Sequence, residues 1–277
     1  MLKVLTPWQA LLIDGPGGRI LVVADLHIGF EYELAYLRIS IPSQIAKMKS
    51  RLIKIIERER PDKLLLLGDV KHSVPQVMTQ EWRDLFAFLE VLTRRVGSIE
   101  IVPGNHDGDI QKFIPQGIRV LPVQGLLIGK RKKVALLHGH TWPSPESFGA
   151  DYIIMGHVHP VIHIVDRSGF RLVKQVWASF NCDMVRMTQS YLRYSGISAR
   201  DPLKALKERF EVLVRNPKIL LMPSFNEALG GLPINMVESD LLGPLFRSGG
   251  VNSGSGEVIL LDGARLGTID QLRLLQK

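Results

Sequence analysis

The chain has 277 residues, of which 45% are hydrophobic and 22% are charged, a composition typical of a soluble globular protein with one large or two small domains. Cys182 is the only cysteine, which excludes an intrachain disulfide and a thiolate metal cluster. Polar residues and a proline interrupt the N-terminal segment where a signal peptide would be apolar, and no apolar run reaches the ~18 residues of a membrane span. We therefore expect a cytoplasmic protein that does not enter a membrane.

The charge balance is strongly basic, with a formal net charge of +8 and a pI of about 9.6. A basic surface favours polyanionic partners such as nucleic acid or nucleotides. The same excess of Lys and Arg is compatible with solubility alone, so charge by itself leaves both interpretations open.

The first half of the chain alternates short apolar runs with amphipathic segments, a rhythm that predicts an α/β sheet with helices on its faces. A helix is expected after Pro42, where apolar residues recur at helical spacing, and a second is expected around Trp82 and Leu85. The predicted strands are residues 19–24, 63–67, 99–102, 134–137 and 152–155.

The second half differs, because strand-like runs separated by Gly and Pro follow Pro160. One helix is predicted among them, from Asp201 as N-cap and Pro202 at the first position to Asn216, with Leu213 among its core-facing residues. We predict an α/β (α+β) fold in which two mixed β-sheets are sandwiched between helices. Residues 1–277 are expected to form a single domain, with the second-sheet strands and the helix in 160–277.

Five predicted strands of the first half run directly into short segments rich in Asp, Asn and His. Seven of the eight histidines lie in these segments. Because the carboxyl ends of strands line the ligand crevice of α/β sheets, the segments can converge on one place. Each motif alone is weak, but all five in this order, each after an apolar strand, indicate a metal site. The segments are Asp25-Leu26-His27, Gly68-Asp69-Val70-Lys71-His72, Gly104-Asn105-His106-Asp107, His138-Gly139-His140 and Gly156-His157-Val158-His159.

This order of motifs resembles the calcineurin-like metallophosphoesterase superfamily, and its Gly-Asp-x-x-His and Leu-Leu-His-Gly-His forms resemble the SbcD-related archaeal and bacterial phosphoesterase branch. The resemblance covers residues 25–159 and implies two mixed sheets between helices. It implies hydrolysis of a phosphate ester by a water activated between two divalent cations. The implied ligands of one cation are Asp25, His27, Asp69 and His159, and Asn105, His138 and His157 complete the second, with Asp69 as the bridge.

Imidazole, carboxylate and amide ligands suit Mn²⁺, Fe or Zn²⁺, and Mg²⁺ is also possible. We expect manganese, although the ligand set alone does not decide the metal. His140 is an alternative to His138 as a ligand, and His138 is preferred because it directly follows the strand.

Three further residues have catalytic roles implied by the same resemblance. His106 would protonate the leaving oxygen or stabilise the transition state, and Asp107 would orient its ring, unless Asp107 is a plain turn residue. His72 is typical of the repair-nuclease relatives, in which it stands near the scissile phosphate. His163 lies in an alternating strand and is interpreted as structural.

The substrate is less clearly indicated. Gly-Asn-His-Asp and Gly-Asp-Val-Lys-His disfavour the protein-phosphatase branch, which carries Gly-Asn-His-Glu and Asp-Arg-Gly instead. Repair nucleases carry a capping domain and an ATPase-binding tail, whereas 118 residues follow His159 here, which puts an ATPase partner in doubt. Lys130, Arg131, Lys132 and Lys133 are candidate phosphate contacts on a basic face beside the metal site, or a solvated hairpin tip. Trp142 could stack on a base or pack in the core.

Three functions therefore remain open. The first is a metal-dependent nuclease or phosphodiesterase acting on nucleic acid, and the second is a nucleotide or cyclic-nucleotide phosphodiesterase. The third is a metal-binding interaction protein without turnover, against which the intact His106 beside a full ligand set argues.

Overall fold

The computed structural model describes residues 1–15, 17–74, 79–165, 169, 171–236 and 241–275. The first sheet has strand order β1-β2-β3-β4-β5-β6. Its first three strands are antiparallel, and β3 to β6 are parallel. The strands are β1 (Leu2–Leu5), β2 (Ala10–Gly15), β3 (Gly18–Val23), β4 (Lys63–Leu67), β5 (Ser98–Val102) and β6 (Arg119–Val120).

The second sheet is mixed and has order β13-β10-β11-β12-β9-β8-β7, with β14 paired to β11 and β15 paired to β14. Strands β8, β9 and β12 are parallel to their neighbours within that trio. The strands are β7 (Leu126–Ile128), β8 (Val134–Leu137), β9 (Tyr152–Met155), β10 (Pro160–Val165), β11 (Arg171–Phe180), β12 (Lys218–Leu221), β13 (Leu232–Pro233), β14 (Glu257–Leu260) and β15 (Arg265–Thr268).

Helices cover the outer faces of both sheets. They are α1 (Phe30–Tyr36), α2 (Ile45–Glu59), α3 (Thr79–Thr93), α4 (Met184–Tyr194), α5 (Pro202–Phe210), α6 (Pro244–Arg247) and α7 (Ile269–Leu274). None of the helices in the described residues has both the length and the apolar composition needed to cross a bilayer.

Strand β4 shows how an unbroken leucine run places the layers. Leu64 and Leu66 pack with α2 and α3, whereas Leu65 and Leu67 point the other way and pack between the two sheets. Successive side chains of a strand alternate between its faces, so a strand buried on both faces is apolar throughout. A third apolar cluster joins the second sheet to α4 and α5. The predicted fold of two mixed sheets between helices is confirmed.

Two predictions about the strands and helices were wrong. Strands β8 and β9 lie in the second sheet, not beside β3 to β5, since β8 pairs with β7 and β9, and β9 pairs with β12. The helix capped by Asp201 ends at Phe210, where Glu211 takes a left-handed backbone conformation. Leu213 lies beyond that end and is 71% exposed. Helix α4 was missed, although Asp183 caps it through the amides of Val185 and Arg186.

Candidate metal centre

The five motif segments converge at the carboxyl ends of β3, β4 and β5 in the first sheet and of β8 and β9 in the second. The segment after β3 is bonded to the segment after β4: the amide of Asp25 donates to the Gly68 carbonyl at 3.1 Å, and that of His27 to Asp69 at 2.8 Å. The carboxylate of Asp25 accepts the amide of His157 at 3.2 Å, which links the two sheets. The convergence expected from the sequence is therefore present.

Backbone conformation marks the same residues. Five of the predicted ligands have a left-handed backbone, with φ between 43° and 66°. Such a conformation is disfavoured for residues with a Cβ by about 1–2 kcal/mol each and concentrates at functional sites. The five are Asp25, His27, Asp69, His157 and His159.

Glycine is required where the segments meet. A Cβ on Gly68 would lie 2.1 Å from Nδ1 of His138, and one on Gly104 would lie 2.1 Å from Oδ1 of Asp69. The two glycines therefore allow close approach of backbone to site side chains.

Two groups of ligand-type atoms form the centre. In the first cluster (Asp25, His27 and His159) and in the second cluster (Asp69, His138 and His157), one ligand atom from each residue lies within 4.8 Å of those of the other two. Each cluster combines one carboxylate from the first sheet with imidazole rings, and both imidazoles of the second cluster come from the second sheet. Oδ1 of Asn105 lies 3.3 Å from Nε2 of His138, which places the amide beside the second cluster.

One oxygen of Asp69 touches both clusters. Its Oδ2 lies 3.4 Å from Nε2 of His27 and 3.2 Å from Nε2 of His138. The other oxygen, Oδ1, accepts the backbone amide of His106 at 2.8 Å, which fixes the orientation of the carboxylate. Asp69 therefore occupies the position between the two clusters.

The pKa shifts follow the same pattern in both clusters: one carboxylate and one imidazole shift toward their charged forms, and the second imidazole shifts toward its neutral form. Burial opposes charge on Asp69 and His138, but their mutual attraction outweighs it, lowering the pKa of Asp69 and raising that of His138 to about 9. Asp25 and His159 shift in the same directions for the same reason. Burial lowers the pKa of His27 to about 3 and that of His157 to about 4.

These residues fit divalent cations. Asp25 and Asp69 are almost completely buried carboxylates, which require compensating positive charge, and divalent cations bound by these carboxylates and the neighbouring imidazoles would supply it. Nε2 of His27 is buried without a hydrogen-bond partner in the part of the chain described. Carboxylate, imidazole and amide donors without thiolate suit first-row divalent metals. The two clusters could therefore each hold a cation.

A third group of rings borders the first cluster. Ligand-type atoms of His27, His72 and His106 lie within 4.8 Å of one another, and Nδ1 of His72 is 3.0 Å from Nδ1 of His27. Nδ1 of His106 bonds the backbone carbonyl of His72, and Nε2 of His72 pairs with Glu33. His72 and His106 therefore lie beside His27 of the first cluster, and the catalytic roles expected for them stay predictions.

Asp107 does not orient the ring of His106, which corrects the prediction. Its Oδ1 accepts the amides of Val70 at 2.9 Å and Lys71 at 3.1 Å, and its Oδ2 accepts that of Gly104 at 2.9 Å. Burial raises its pKa to about 6 against these hydrogen bonds. Asp107 therefore braces the segment that carries Asp69, and the His72 carbonyl is the partner of the His106 ring.

Sequence reasoning missed a second brace, which is Glu81 at the start of α3. This fully buried carboxylate accepts the amides of His72 at 3.0 Å and Ser73 at 2.9 Å. An acidic residue in the first turn of a helix is ordinary in sequence, so nothing in the pattern separated it from a surface glutamate.

The remaining candidate residues belong to neither cluster. His140 belongs to neither cluster; its ring centroid is 5.3 Å from that of His138. Trp142 is 8% exposed and packs edge-on against Tyr191, which favours the core interpretation. His163 lies in β10 with its amide bonded to Asn235, consistent with a structural residue.

The basic cluster lies at the other end of the second sheet. Lys130, Arg131, Lys132 and Lys133 form the turn between antiparallel β7 and β8, which confirms the hairpin tip. Strand β8 then runs away from the turn toward His138, and five residues at ~3.3 Å each separate Lys133 from His138 by about 16 Å. The prediction of a basic face beside the metal site was therefore wrong for these four residues.

A known protein family matches the part of the chain that carries the five motif segments. The family model described as calcineurin-like phosphoesterase matches residues 18–161. The chain is similar to nuclease MPE of Pseudomonas putida, with 19% identity, a TM-score of 0.46, and coverage of 93% of this chain and 100% of that one. It is also similar to Yfce, a phosphoesterase from E. coli, with 16% identity, a TM-score of 0.35, and coverage of 55% and 75%. No curated protein sequence matches the chain.

Proposed function

Since the chain belongs to the calcineurin-like phosphoesterase family and is a phosphoester hydrolase, we propose that it cleaves phosphodiester bonds of nucleic acid with the help of two divalent cations. The observation that carries the proposal is the position of Asp69, whose Oδ2 lies within 3.4 Å of one imidazole nitrogen from each cluster. A carboxylate shared by two clusters is the arrangement that a two-metal site requires.

The proposed ligands follow the two clusters. Asp25, His27 and His159 would hold one cation, His138, His157 and Asn105 would hold the other, and Asp69 would contribute to both. When bound, the two cations activate water at neutral pH and neutralise the charge that develops on the phosphoryl oxygens. Manganese is the proposed metal, with iron, zinc and magnesium as the alternatives.

His106 is proposed to serve the leaving group. Its Nδ1–H donates to the His72 carbonyl, so in the protonated ring Nε2–H would give its proton to the leaving oxygen. His72 is proposed to stand near the scissile phosphate, since its ring lies against those of both His27 and His106.

A nucleic acid substrate is supported by the net charge of +8. A nucleotide or cyclic-nucleotide phosphodiesterase is the second candidate, favoured by a cavity beside the second cluster of about 440 Å³, the size of a small-ligand pocket. Both candidate functions hydrolyse a phosphodiester by the same chemistry, and they differ in the groups that the substrate carries on its phosphate.

The test separates chemistry from substrate. The purified protein is treated with chelator, reloaded with Mn²⁺, Fe²⁺, Zn²⁺ or Mg²⁺, and assayed with bis-p-nitrophenyl phosphate. Hydrolysis that depends on a cation is expected, and its absence with every cation would contradict the proposal. Single-stranded DNA and RNA, duplex DNA and cyclic AMP are then compared by kcat/KM. A preference for cyclic AMP over every strand would favour the second candidate.

A further inference from the structure

The cavity beside the second cluster has no role in the chemistry proposed above. Its lining includes His157 of that cluster together with Trp142, Tyr194 and Arg247. Its volume of about 440 Å³ lies within the range of ~300–1,000 Å³ that small-ligand pockets occupy.

Tyr194 provides an exposed aromatic ring in this cavity. It is the last residue of α4 and is 67% exposed, and its ring centroid lies 6.1 Å from that of buried Trp142 at an angle of 35°. Tyr191, one turn earlier on α4, packs edge-on against Trp142 and holds the end of the helix in place. A ring of this kind can stack on a nucleobase, which contributes about 1–3 kcal/mol per base.

Arg247 provides the positive charge. It is exposed at the end of α6 and has no ion pair within the described residues. A guanidinium group binds phosphate oxygens in a bidentate manner.

The segment that carries Arg247 is held against the metal centre. Gly243 has φ 94°, and a Cβ there would lie 2.3 Å from the carbonyl oxygen of Gly139, between His138 and His140. The backbone of this segment thus touches the turn that carries a ligand of the second cluster. This backbone contact therefore places the start of α6, the helix that ends at Arg247, beside the turn of the second cluster.

The aromatic and cationic groups of this cavity come from this chain's own C-terminal half. Tyr194 and Arg247 both lie outside residues 18–161, the part that matches the family. The matched region supplies the clusters, and the remainder supplies the groups that could select a substrate.

We propose that this cavity binds the nucleotide next to the scissile phosphate, with its base stacked on Tyr194 and its phosphate on Arg247. The inference rests on the proposed function, because it requires a diester held at the two clusters. A base can stack on Tyr194 only when it is unpaired, so the cavity selects single strands or small nucleotides over duplex.

A binding experiment tests the cavity without relying on turnover. AMP, ribose 5-phosphate and inorganic phosphate are titrated into the purified protein by calorimetry. We expect AMP to bind about tenfold more tightly than ribose 5-phosphate, the effect of one stacked base. Tyr194→Ala should remove that difference, Tyr194→Phe should keep it, and Arg247→Ala should weaken both ligands. Arg94→Ala, which changes an exposed arginine at the far end of α3, is the matched control and should change neither. Equal affinity of the wild type for AMP and ribose 5-phosphate would overturn the proposal.

A kinetic experiment tests the link to catalysis. The ratio of kcat/KM for the dinucleotide pApA to that for bis-p-nitrophenyl phosphate should fall about tenfold in Tyr194→Ala. Equal loss on both substrates would overturn the role of Tyr194, as would cleavage of duplex at the rate of single strand by the wild type. A preference for a single-stranded oligonucleotide would identify nucleic acid as the source of the nucleotide, and a preference for cyclic AMP would identify a small nucleotide. Either preference supports the binding of a nucleotide in this cavity. Failure of the wild type to cleave any diester would contradict the proposed function, whereas the AMP titration judges the cavity independently.

Discussion

The chain turns at both ends of the parallel strands, but the residue types that take left-handed backbone conformations differ between the carboxyl end and the amino end. In the two hairpin turns at the amino end, between β2 and β3 and between β7 and β8, positive φ angles fall on the glycines Gly18 and Gly129. At the carboxyl end they fall on Asp25, Asp69 and His157 among others, although glycine would adopt them at lower energy. The side chains at the carboxyl end are therefore present for what their atoms do and not for the turns they make.

The partners of the charged side chains also differ between the two ends of the strands. At the amino end, Lys63 and Arg119 both pair with Glu100, so opposite charges from neighbouring strands neutralise one another. At the carboxyl end, the side chains that form ion pairs with Asp25 and Asp69 within the described residues are imidazole rings. The first arrangement is complete in itself, and the second leaves room for cations.

Among substitutions that test this difference between the two ends, the largest effect is expected at Asp69, at the carboxyl end. Asp69→Asn keeps the left-handed backbone accessible but removes the charge shared by the two clusters, so neither cation retains a complete shell. We expect metal content to fall below one ion per chain and turnover to fall by at least about 10³-fold, since catalysis depends on both ions. Metal analysis and the bis-p-nitrophenyl phosphate assay measure both quantities. Asp14→Ala, at the amino end, should change neither, and two tightly bound ions in Asp69→Asn would refute the bridging position.

The next largest effect is expected at His106. His106→Ala should keep its metals and lose about 10²–10⁴-fold in kcat on nucleic acid, the usual scale for a general acid. The loss should be smaller with a nitrophenolate leaving group, which needs little protonation. A variant that cleaves oligonucleotides at nearly the wild-type rate would show that His106 has no role in the chemistry.

A moderate effect is expected at Asp107, chiefly on stability. Asp107→Asn replaces one acceptor oxygen with a donor and leaves one of three buried amides unpaired, which should lower the free energy of unfolding by about 1–3 kcal/mol. Urea denaturation measures this change. The pH profile of kcat/KM should keep its shape, because the His106 ring is held by the His72 carbonyl. A shifted profile with unchanged stability would restore the role of Asp107 as the partner of that ring.

The smallest effect is expected at the amino end. Replacing Lys130, Arg131, Lys132 and Lys133 with Gln should change kcat/KM on a trinucleotide by less than about twofold, because the ~16 Å separation exceeds the screening length of ~8 Å at physiological salt. Rates measured at several salt concentrations check this. A large loss on so short a substrate would mean that the hairpin tip reaches the centre.

The sequence predicted β3, β4, β5, β8 and β9 because each of these strands carries a local signal, whereas β1, β2, β6 and β7 were missed. The boundaries of β4, β8 and β9 follow from apolar runs flanked by Gly or charged residues, and the motif order indicated which side chains converge. Sheet membership was not predictable in the same way, since it depends on which sheet β8 joins and not on its own residues. The end of α5 was missed because Leu213 continues the helical spacing beyond the last helical turn.

The parts of the centre that escaped prediction act through the backbone. Asp107 and Glu81 hold amide groups of neighbouring segments, and the ring of His106 is bonded to a carbonyl. Every residue has a backbone carbonyl and every residue except proline has a backbone N–H, so the sequence carries no signal for which of these groups a carboxylate or a ring will contact. Tyr194 and Arg247 lie far along the chain from the motifs, and their position beside His157 depends on how α4 and α6 pack.

The distribution of the ligands over two sheets couples cation binding to assembly of the whole chain. Each cluster takes atoms from segments on both sides of the apolar layer between the sheets, so neither half of the protein contains a finished site. Cations that bind only the docked sheets would stabilise the native chain by about 2.7 kcal/mol at a free concentration of one hundred times Kd. We therefore expect removal of the cations by a chelator to weaken the packing of one sheet against the other before either sheet loses its own hydrogen bonds.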